Sequence, residues 1–313
     1  MARLALPKDA DTANVEVAGR SVHLTNLRKV YWPERGFTKR DLLAYYAAVA
    51  PALLPHVRDK AIVMKRYPNG IGGAFFFMKR VPAQHPPWLK TCAIEHGSGS
   101  VIDFAIVDDV ASLLWLVNLG CIDLNPWYAP CDDVNHPEYL HFDLDPNGAP
   151  FSAVREAALI VHDTLEALGM PTFAKTSGSK GMHVYVPIEH GPTQKEVWTF
   201  AKLVSMRMAG AHPDVLTAEY KIAKRPEGRV LVDYNQNRWG ATLASVYSVR
   251  PTPHAGVSTP VTWEEVERGV ETEDFTLLNV PQRLAKTGDL WKPLAQSRGR
   301  FDLAPLLAAT HVA

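Results

Sequence analysis

The 313-residue sequence has only three cysteines, Cys92, Cys121 and Cys131, and no CxxC pair. An odd number without that spacing argues against a disulfide framework and against a thiolate zinc site, so we expect three thiols. The sequence also lacks an apolar run near the roughly 20 residues of a membrane span, and its N-terminus lacks the apolar core of a signal peptide. We therefore expect a cytoplasmic protein with no membrane partner.

The sequence has no excess of either charge, because its formal net charge is zero. The charges are nevertheless unevenly distributed along the chain. Residues 1–90 hold 15 Lys and Arg against 6 Asp and Glu, residues 91–170 hold 1 against 13, and residues 171–313 hold 17 against 14. A basic segment followed by an acidic one suits a protein that holds a polyanion and concentrates metal at a separate centre.

The hydrophobic pattern predicts an α+β fold, in which flanking helices cover one side of a mixed β-sheet. From residue 139 the predicted elements are a strand over 139–145, a helix over 151–168, strands over 172–176 and 182–188, a helix over 193–209, and strands near 216–222, 229–235 and 242–249. Before them we predict a hairpin over 15–24, a helix from Thr38 to about Pro51, a strand over 61–67, a helix over 110–120 and a loop over 126–137. A short helix is predicted over 263–269.

Two aspartates lie close together in the segment HFDLDP, residues 141–146. Alternate side chains of a strand point the same way, so Asp143 and Asp145 share one face. Two such carboxylates repel each other unless a cation lies between them, and a divalent cation with oxygen ligands meets that need. The alternative is a strand end whose acids face water.

The segment TSGSKGMH, residues 176–183, indicates a site for an anion, most naturally a phosphate. Its two glycines let backbone N–H groups turn toward one point, and Ser177, Ser179, Lys180 and His183 add side-chain donors. The segment is not a P-loop, since the GxxxxGK[ST] spacing is absent and a strand follows. A plain Gly-Ser hairpin is the alternative.

Two further charged residues lie in or at the end of apolar strands. Asp233 falls inside the segment VLVDYNQN, where burial of a carboxylate is costly without a partner. A metal shared with Asp143 and Asp145 would be such a partner. Arg250 ends the segment YSVR and could clamp phosphate oxygens. For each of them alone, a structural ion pair is the alternative.

The sequence resembles the polymerase domain of bacterial ligase D and its stand-alone relatives, within the archaeo-eukaryotic primase superfamily. The matching motifs occur in order over about residues 20–295: LTNLRKVYWP with TKRD, MKRYPNG followed by FFFMK, HFDLDP, TSGSKGMHVYVP, VLVDYNQN and YSVR. The resemblance implies a primase-polymerase core with an RRM-like palm. It also implies a leader over residues 1–18, a catalytic domain over 19–295 and a C-terminal tail over 296–313.

The resemblance implies a role for each matching residue. Two divalent cations, Mn²⁺ or Mg²⁺, would be held by the catalytic residues Asp143, Asp145 and Asp233. The triphosphate of the incoming nucleotide would be bound by Ser177, Lys180, His183 and Arg250. The DNA would be contacted by Asn26, Lys29 and Lys39 at a downstream 5′-phosphate, by Lys65 and Arg66, and by Phe76 and Phe77 at the template. Core packing is the alternative for these aromatics, and at least one of Phe75, Phe76 and Phe77 is expected to point inward.

One position departs from the family, because Asn125 stands where ligase D usually has a His near the nucleotide phosphates. An amide can donate a hydrogen bond to a phosphate oxygen but cannot carry a proton charge. We therefore expect triphosphate affinity, metal preference or end joining to differ. The sequence shows no ligase or nuclease module, so we expect the protein to work beside a separate ATP-dependent ligase. Ku is a second expected partner. The expected location is the bacterial cytoplasm, in association with the nucleoid.

The motifs together predict template-directed nucleotidyl transfer by a two-metal mechanism. The expected substrates are gapped or broken DNA with a 5′-phosphate and NTPs or dNTPs, with NTPs preferred. The expected setting is DNA repair, by non-homologous end joining or excision repair. A metal-dependent phosphodiesterase would also need three acids, but it does not explain a triphosphate site. A non-catalytic DNA-end-binding module has no reason to keep the three aspartates.

Overall fold

The structure is a computed structural model that describes Leu4, residues 6–296 and residues 299–310. Contacts divide the chain into two compact units. The first unit comprises Met1–Trp127, Leu243–Ser258 and Phe275–Gly288, and the second comprises Tyr128–Thr242, Thr259–Asp274 and Asp289–Ala313. In the described part of the chain, no helix is both long and apolar enough to cross a membrane.

The first unit is built on antiparallel strands. They are β1 (Ala13–Val17), β2 (Arg20–Leu24), β3 (Val30–Trp32), β4 (Phe37–Thr38), β5 (Ala61–Arg66), β6 (Phe76–Met78), β7 (Thr91–Glu95), β8 (Val101–Ile106) and β9 (Cys121–Pro126). Strand β5 lies at the centre of a five-stranded sheet, where it pairs with β6, β8 and β9. Strands β1 and β2 form the predicted hairpin, so β1 lies inside the segment that was expected to be a leader.

The helices of this unit are α1 (Lys39–Val57) and α2 (Val110–Asn118), to which a later segment adds a third. A capping box begins α1, because the Asp41 carboxylate accepts hydrogen bonds from the backbone N–H and the hydroxyl of Thr38. The predicted end near Pro51 was wrong, since α1 continues past Pro51 to Val57. Its buried face extends to Leu53 and Val57, and we infer that this packing outweighs the backbone hydrogen bond that proline cannot make.

The sequence predicted only one strand of the five-stranded sheet. The other four strands, β6 to β9, were missed. Strand β9 is buried at every position, so its sequence lacks the apolar–polar alternation that indicates a strand. Its central Asp123 also interrupts the apolar run. Strand β6 is exposed or half-buried throughout, so it has no apolar face toward the core.

The second unit holds a six-stranded mixed sheet in the order β13-β14-β10-β12-β11-β15. Its elements are β10 (Tyr139–Asp145), α3 (Phe151–Glu166), β11 (Phe173–Thr176), β12 (Met182–Pro187), α4 (Gln194–Ala211), β13 (Leu216–Thr217), β14 (Val230–Asp233), β15 (Pro260–Val261) and α5 (Trp263–Arg268). Only β13 and β14 pair in parallel among the described strands of this sheet. The remaining helices are α6 (Val280–Thr287), in the first unit, and α7 (Ala304–Thr310), in the second.

Helices α3 and α4 pack against β10, whose apolar side chains Phe142 and Leu144 are fully buried. On β12, Val184 and Val186 are buried in the same way, and they pair with Phe142 and Leu140 of β10. The opposite face of the sheet is thereby left to the residues that alternate with these. The predicted α+β class is confirmed, with helices against a mixed sheet.

Two predicted strands are corrected. The strand expected near 216–222 is only the two residues of β13, and the chain then forms a 3₁₀ turn at Ile222–Lys224. No strand forms over residues 242–249, all of which the structure describes. There Tyr247 adopts a φ of 62°, which interrupts extended backbone, and Val249 makes only an isolated bridge with Val257.

The prediction of three thiols was also wrong. Cys121 is a free, buried cysteine at the start of β9. Cys92 and Cys131 are disulfide-bonded. Neither has a neighbouring cysteine in the sequence, so no local spacing could have indicated that it is disulfide-bonded.

Candidate active site

Four polar side chains form a row across the sheet of the second unit. Asp143 of β10 pairs with Asp233 of β14 on one side and with His183 of β12 on the other. His183 pairs in turn with Lys175 of β11. Directly opposed residues of antiparallel strands share a face, so two carboxylates, an imidazole and an ammonium lie side by side. Asp145 lies on the same face, two residues further along β10.

The three aspartates form a compact carboxylate cluster. Each offers an oxygen that lies within 4.8 Å of the others, and Asp143 and Asp233 are buried while Asp145 is exposed. Burial, and after it the charge of Asp143, raises the pKa of Asp233 above its ordinary value. A cation would relieve this repulsion, and carboxylate oxygens suit Mg²⁺ and Mn²⁺. The cluster therefore fits a divalent metal site that opens to solvent at Asp145.

Hydrogen bonds hold Asp233 in place. Its Oδ1 accepts from the backbone N–H of Asn235 at 2.8 Å, and its Oδ2 accepts from Gln236 Nε2 at 3.1 Å. The buried Asn237 fixes the same turn to β10, because its side-chain amide donates to the His141 carbonyl at 2.6 Å and accepts from the His141 N–H at 3.1 Å. The segment DYNQN thus anchors the third carboxylate against the first two.

The fully buried Lys175 determines how His183 presents its ring. Lys175 Nζ lies 2.7 Å from His183 Nδ1, and His183 Nε2 lies 3.2 Å from Asp143 Oδ1. With Lys175 as an ammonium, which can only donate, Nδ1 would accept and the ring proton would lie on Nε2. The Lys175 Nζ is 5.9 Å from the ring centroids of Tyr185 and Trp291, which favour its charge. His183 therefore directs an N–H donor toward the carboxylate cluster.

His141, two residues before Asp143 on β10, packs between aromatic rings. It shares the face of Asp143 but is fully buried, with its ring centroid 4.1 Å from that of Tyr128 and 5.1 Å from that of Tyr185. Burial lowers the pKa of His141 to about 3. The ring is therefore neutral at physiological pH.

The TSGSKGMH segment forms the turn between β11 and β12. The backbone N–H groups of Ser179 and Gly181 converge, as predicted, but on the Ser177 hydroxyl oxygen, at 3.2 and 3.0 Å. A Cβ at Gly181 would lie 2.2 Å from the Leu144 carbonyl oxygen, so only glycine fits there. Lys180 is exposed at the tip of the turn. Ser177 thus stabilises the turn, and Lys180 offers its ammonium to the solvent.

The first unit holds Arg250 and Asn125 on neighbouring segments. Arg250 Nε lies 3.1 Å from Asp123 Oδ2, and the Asp123 side chain is almost fully buried. Asn125 Nδ2 donates to the Asp123 carbonyl at 3.1 Å. Asp123 of β9 therefore orients the guanidinium of Arg250, and sequence reasoning missed it.

Of the predicted 5′-phosphate residues, Asn26 and Lys29 lie in the loop between β2 and β3, and Lys39 is the first residue of α1. Lys39 is buried, and its Nζ donates to the Thr25 carbonyl at 2.7 Å. Lys29 Nζ donates to Asn69 Oδ1 at 2.7 Å. Burial, and then the charge of Lys29, lowers the pKa of Lys39 to about 8. The two ammonium groups are thus close enough to repel each other, which is the condition for an anion site.

The aromatic residues of FFFMK are all on the surface. Phe75, Phe76 and Phe77 are 49%, 45% and 60% exposed, so the expectation that at least one points inward was wrong. Lys65 Nζ lies 4.4 Å from the Phe75 centroid, and the Arg66 guanidinium lies 5.2 Å from that of Phe76. Alternating cations and exposed rings suit stacking of unpaired bases.

Comparison with known proteins identifies relatives along most of the chain. A family model described as LigD, primase-polymerase domain matches residues 38–291. The multifunctional non-homologous end joining DNA repair protein LigD of Mycobacterium tuberculosis is 33% identical over 282 residues, 87% of this chain and 37% of that protein. Its counterpart in Pseudomonas aeruginosa is 30% identical over 302 residues, 95% of this chain and 36% of that protein.

The chain spans little more than a third of the length of these relatives. Among solved structures, the polymerase domain of Mycobacterium tuberculosis ligase D in complex with DNA is similar with a TM-score of 0.82 and 32% identity. The match covers 88% of this chain and 98% of that one.

The fold, the carboxylate cluster and these matches define a nucleotidyltransferase of the primase-polymerase class. The chain belongs to the LigD primase-polymerase family. The resemblance inferred from the motifs is therefore confirmed, while the role of each residue remains a prediction.

Two residues that contact predicted site residues, each within its own unit, carried little sequence signal. Lys175 lies in the ordinary strand segment FAKT, and Asp123 lies in the apolar segment CIDLNP. A charged residue inside an apolar strand needs a buried partner, which could have marked both positions as candidates. Their partners, His183 and Arg250, are 8 and 127 residues away in sequence, so only the strand register or the tertiary fold pairs them.

Proposed function

We propose that this protein adds nucleotides to a primer strand across short gaps or at broken DNA ends, under the direction of a template. The observation that carries the proposal is the row of Asp233, Asp143, His183 and Lys175, which sets a buried metal-binding cluster beside a polarised donor. A phosphodiesterase would use the carboxylates, but it binds no triphosphate and so does not need the His183 imidazole or the turn that carries Lys180.

Asp143, Asp145 and Asp233 would hold two divalent cations. When bound, these cations would lower the pKa of the primer 3′-hydroxyl and neutralise the leaving pyrophosphate. Asp145 is exposed, so it can reach ions that arrive with the nucleotide, whereas Asp143 and Asp233 are buried and pre-positioned.

The remaining polar residues would bind the triphosphate. His183 donates from Nε2, because Lys175 occupies Nδ1. Lys180 contributes its exposed ammonium, and Ser177 keeps the turn in shape. Arg250 adds a guanidinium oriented by Asp123, and Asn125 adds an amide. Each charge-assisted contact of this kind contributes about 1.5–3 kcal/mol.

The basic residues of the first unit would bind DNA. Lys29, Lys39 and Asn26 would hold the 5′-phosphate at the downstream side of a gap. A terminal phosphate carries more charge than an internal diester, so two neighbouring ammonium groups would prefer it. Phe76 and Phe77 would stack on template bases, with Lys65 and Arg66 beside them on the backbone.

The proposed setting is DNA repair in bacteria, by non-homologous end joining or excision repair. The two curated relatives described above are named for non-homologous end joining, which supports this setting. A separate ATP-dependent ligase and Ku are the proposed partners, and NTPs the preferred nucleotides over dNTPs. The proposed location is the bacterial cytoplasm at the nucleoid.

The test is primer extension across a gap of one to three nucleotides with a 5′-phosphate, with NTPs and dNTPs compared in Mg²⁺ and Mn²⁺. We expect Asp145→Asn to lower the rate by about a thousandfold or more, since a lost metal ligand removes several kcal/mol of transition-state stabilisation. Binding of gapped DNA, measured by fluorescence anisotropy, should be unchanged.

The matched control is Asp163→Asn, which removes the same charge from an exposed position of α3 and should extend normally. Wild-type extension by Asp145→Asn would refute the polymerase proposal. A wild type that binds phosphorylated ends but never extends them would instead identify an end-binding module, and cleavage of the DNA would identify a phosphodiesterase.

A further inference from the structure

A second cluster of metal-ligand side chains lies in the second unit, on the loops that flank β10 and β12. Asp133, His136 and His190 each offer one ligand atom, and these atoms all lie within 4.8 Å of one another. Asp133 Oδ1 is 2.7 Å from His136 Nδ1, and Asp133 Oδ2 is 2.7 Å from His190 Nε2. The ring centroids of the two histidines are 5.0 Å apart.

Backbone hydrogen bonds hold both loops in place. The His136 N–H donates to the Asp133 carbonyl at 3.3 Å, and the N–H of Gln194, at the start of α4, donates to the Asn135 carbonyl at 2.8 Å. The loop after β12 is tied to the first loop by the N–H of Ile188, which donates to the Glu138 carbonyl at 3.1 Å. The three ligands therefore come from backbone that is already ordered, which lowers the cost of binding an ion.

This cluster is separate from the aspartates of the candidate active site. It lies beyond the end of the sheet where Tyr139 pairs with Pro187, whereas Asp143 pairs with His183 toward the other end. Asp143 lies four residues after Tyr139, a distance of about 13 Å along β10. One ion cannot be shared between the two clusters.

We propose that Asp133, His136 and His190 form a second metal centre that binds one divalent transition-metal ion, with Zn²⁺ as the best fit. Two imidazole nitrogens and one carboxylate are typical Zn²⁺ ligands, whereas Mg²⁺ prefers oxygen ligands only. Cys131, close by in sequence, is disulfide-bonded and so is no thiolate ligand. With three protein ligands, a tetrahedral ion would have its fourth position open to water.

The proposed centre clamps two loops together. Asp133 and His136 come from the loop before β10, and His190 comes from the loop after β12, 54 residues later than His136. A bound ion would cross-link these loops at the end of the central strand pair and would stabilise the second unit.

The experiment measures bound metal in untagged protein that has been equilibrated with micromolar Zn²⁺ and dialysed. Wild type is compared with the double variant His136→Ala, His190→Ala and with the control His212→Ala, an exposed histidine at the end of α4. We expect one equivalent of zinc more in wild type and in the control than in the double variant. Titration against a chromophoric chelator should show that the double variant binds Zn²⁺ more than 100-fold more weakly than wild type. Removal of a residue that only hydrogen-bonds to a metal ligand typically costs about 10- to 100-fold.

All proteins also carry Asp143→Asn and Asp145→Asn, so that zinc at the carboxylate cluster does not contribute to the count. Circular dichroism verifies folding, and His190→Ala alone serves as the milder variant because that side chain is 73% exposed. Cobalt provides an independent readout, since a tetrahedral nitrogen-containing site has a much stronger visible spectrum than octahedral coordination by oxygen. Equal zinc content and equal cobalt spectra in wild type and in the double variant would overturn the proposal, and the triad would then be hydrogen-bonded only.

Discussion

At the scale of single residues, Lys175 is the least expected member of the site. It is fully buried, and its ammonium contacts the edge of an imidazole. Burial of an ammonium is costly, and the contacts with the His183 ring and with two aromatic rings help to offset the cost. The structural consequence is a fixed tautomer of His183, with its proton on the nitrogen that faces the carboxylates. We infer that Lys175 positions His183 and does not itself touch the nucleotide.

We predict that Lys175→Met raises the KM for NTP while changing kcat much less, because His183 can then adopt either tautomer. His183→Ala defines the upper limit, since loss of a charge-assisted contact should raise KM by about ten- to hundredfold. Gap-filling kinetics across NTP concentrations measure both values. NMR of the His183 ring nitrogens should show one tautomer in the wild type and a mixture of both tautomers in Lys175→Met.

The control for this prediction is Lys195→Met, an exposed lysine of α4, which should leave KM unchanged. If Lys175→Met lost stability but kept both the wild-type KM and the wild-type tautomer, Lys175 would be a packing residue only.

At the scale of elements, the turn between β11 and β12 depends on a close approach of two backbones. Gly181 lies against the Leu144 carbonyl, where a Cβ would be only 2.2 Å from the oxygen. The same turn holds its Ser177 hydroxyl by hydrogen bonds from two backbone N–H groups. Any displacement here would move β12 relative to β10, and with it His183 relative to Asp143.

We therefore predict that Gly181→Ala both destabilises the protein, by roughly 1–3 kcal/mol as overpacking typically does, and raises the KM for NTP. Thermal unfolding and nucleotide titration measure the two effects. Gly210→Ala is the matched control, because a Cβ there meets nothing within 4 Å, and alanine in α4 should be neutral or stabilising. A Gly181→Ala protein with wild-type stability and KM would contradict the proposed tight approach.

Lys39, at the start of α1, sets the pH range of the proposed 5′-phosphate pocket. Lys39 has a pKa lowered to about 8, so it is charged below that pH and neutral above it. A terminal phosphate has completed its second ionisation, near pH 6, before this range begins. The preference for a 5′-phosphate over a 5′-hydroxyl end should therefore fall as the pH rises through the pKa of Lys39.

The measurement is the affinity ratio for the two kinds of gapped DNA between pH 7 and pH 9.5. A bound phosphate stabilises the ammonium, so the midpoint of the fall should lie above 8. Lys39→Met, which keeps the packing of the buried stem, should give a low and pH-independent ratio. A wild-type ratio that does not change with pH would exclude Lys39 from the pocket.

At the scale of the whole molecule, a zero net charge does not favour general attraction to DNA. Attraction must come from the uneven distribution, in which residues 1–90 hold 15 basic against 6 acidic side chains. The proposed nucleic-acid contacts lie in this basic part, whereas the carboxylates lie in the acidic middle and in the segment after it. In the sequence, the proposed DNA contacts and the metal-binding acids therefore lie in segments of different charge.

We predict that the affinity for gapped DNA falls steeply with salt, and that Lys29→Met with Lys39→Met flattens the log–log slope by about 0.9 for each phosphate that the variant no longer neutralises. The control removes the same charge from exposed positions of the second unit, Lys195→Met with Lys292→Met, and should keep the wild-type slope. Equal slopes in both double variants would mean that the two lysines belong to an ordinary solvated surface.

The sequence by itself was enough to predict what depends on neighbouring residues. The alternation in YLHFDLD places Asp143 and Asp145 on one face, the glycines and serines of TSGSKG form a turn, and α1 begins after Thr38. In each case the interacting groups are within a few residues, so their geometry follows from local backbone preferences.

The tertiary structure decided what depends on distant partners. The sheet register sets Asp143 opposite Asp233, and Lys175 behind His183. Packing carries α1 past Pro51, while Phe75, Phe76 and Phe77 remain exposed beside Lys65 and Arg66. The loops around β10 and β12 bring Asp133 to His190 across 57 residues of chain. The physical reason is the same throughout: these groups are stabilised by burial and pairing between segments, and no local pattern encodes which segments meet.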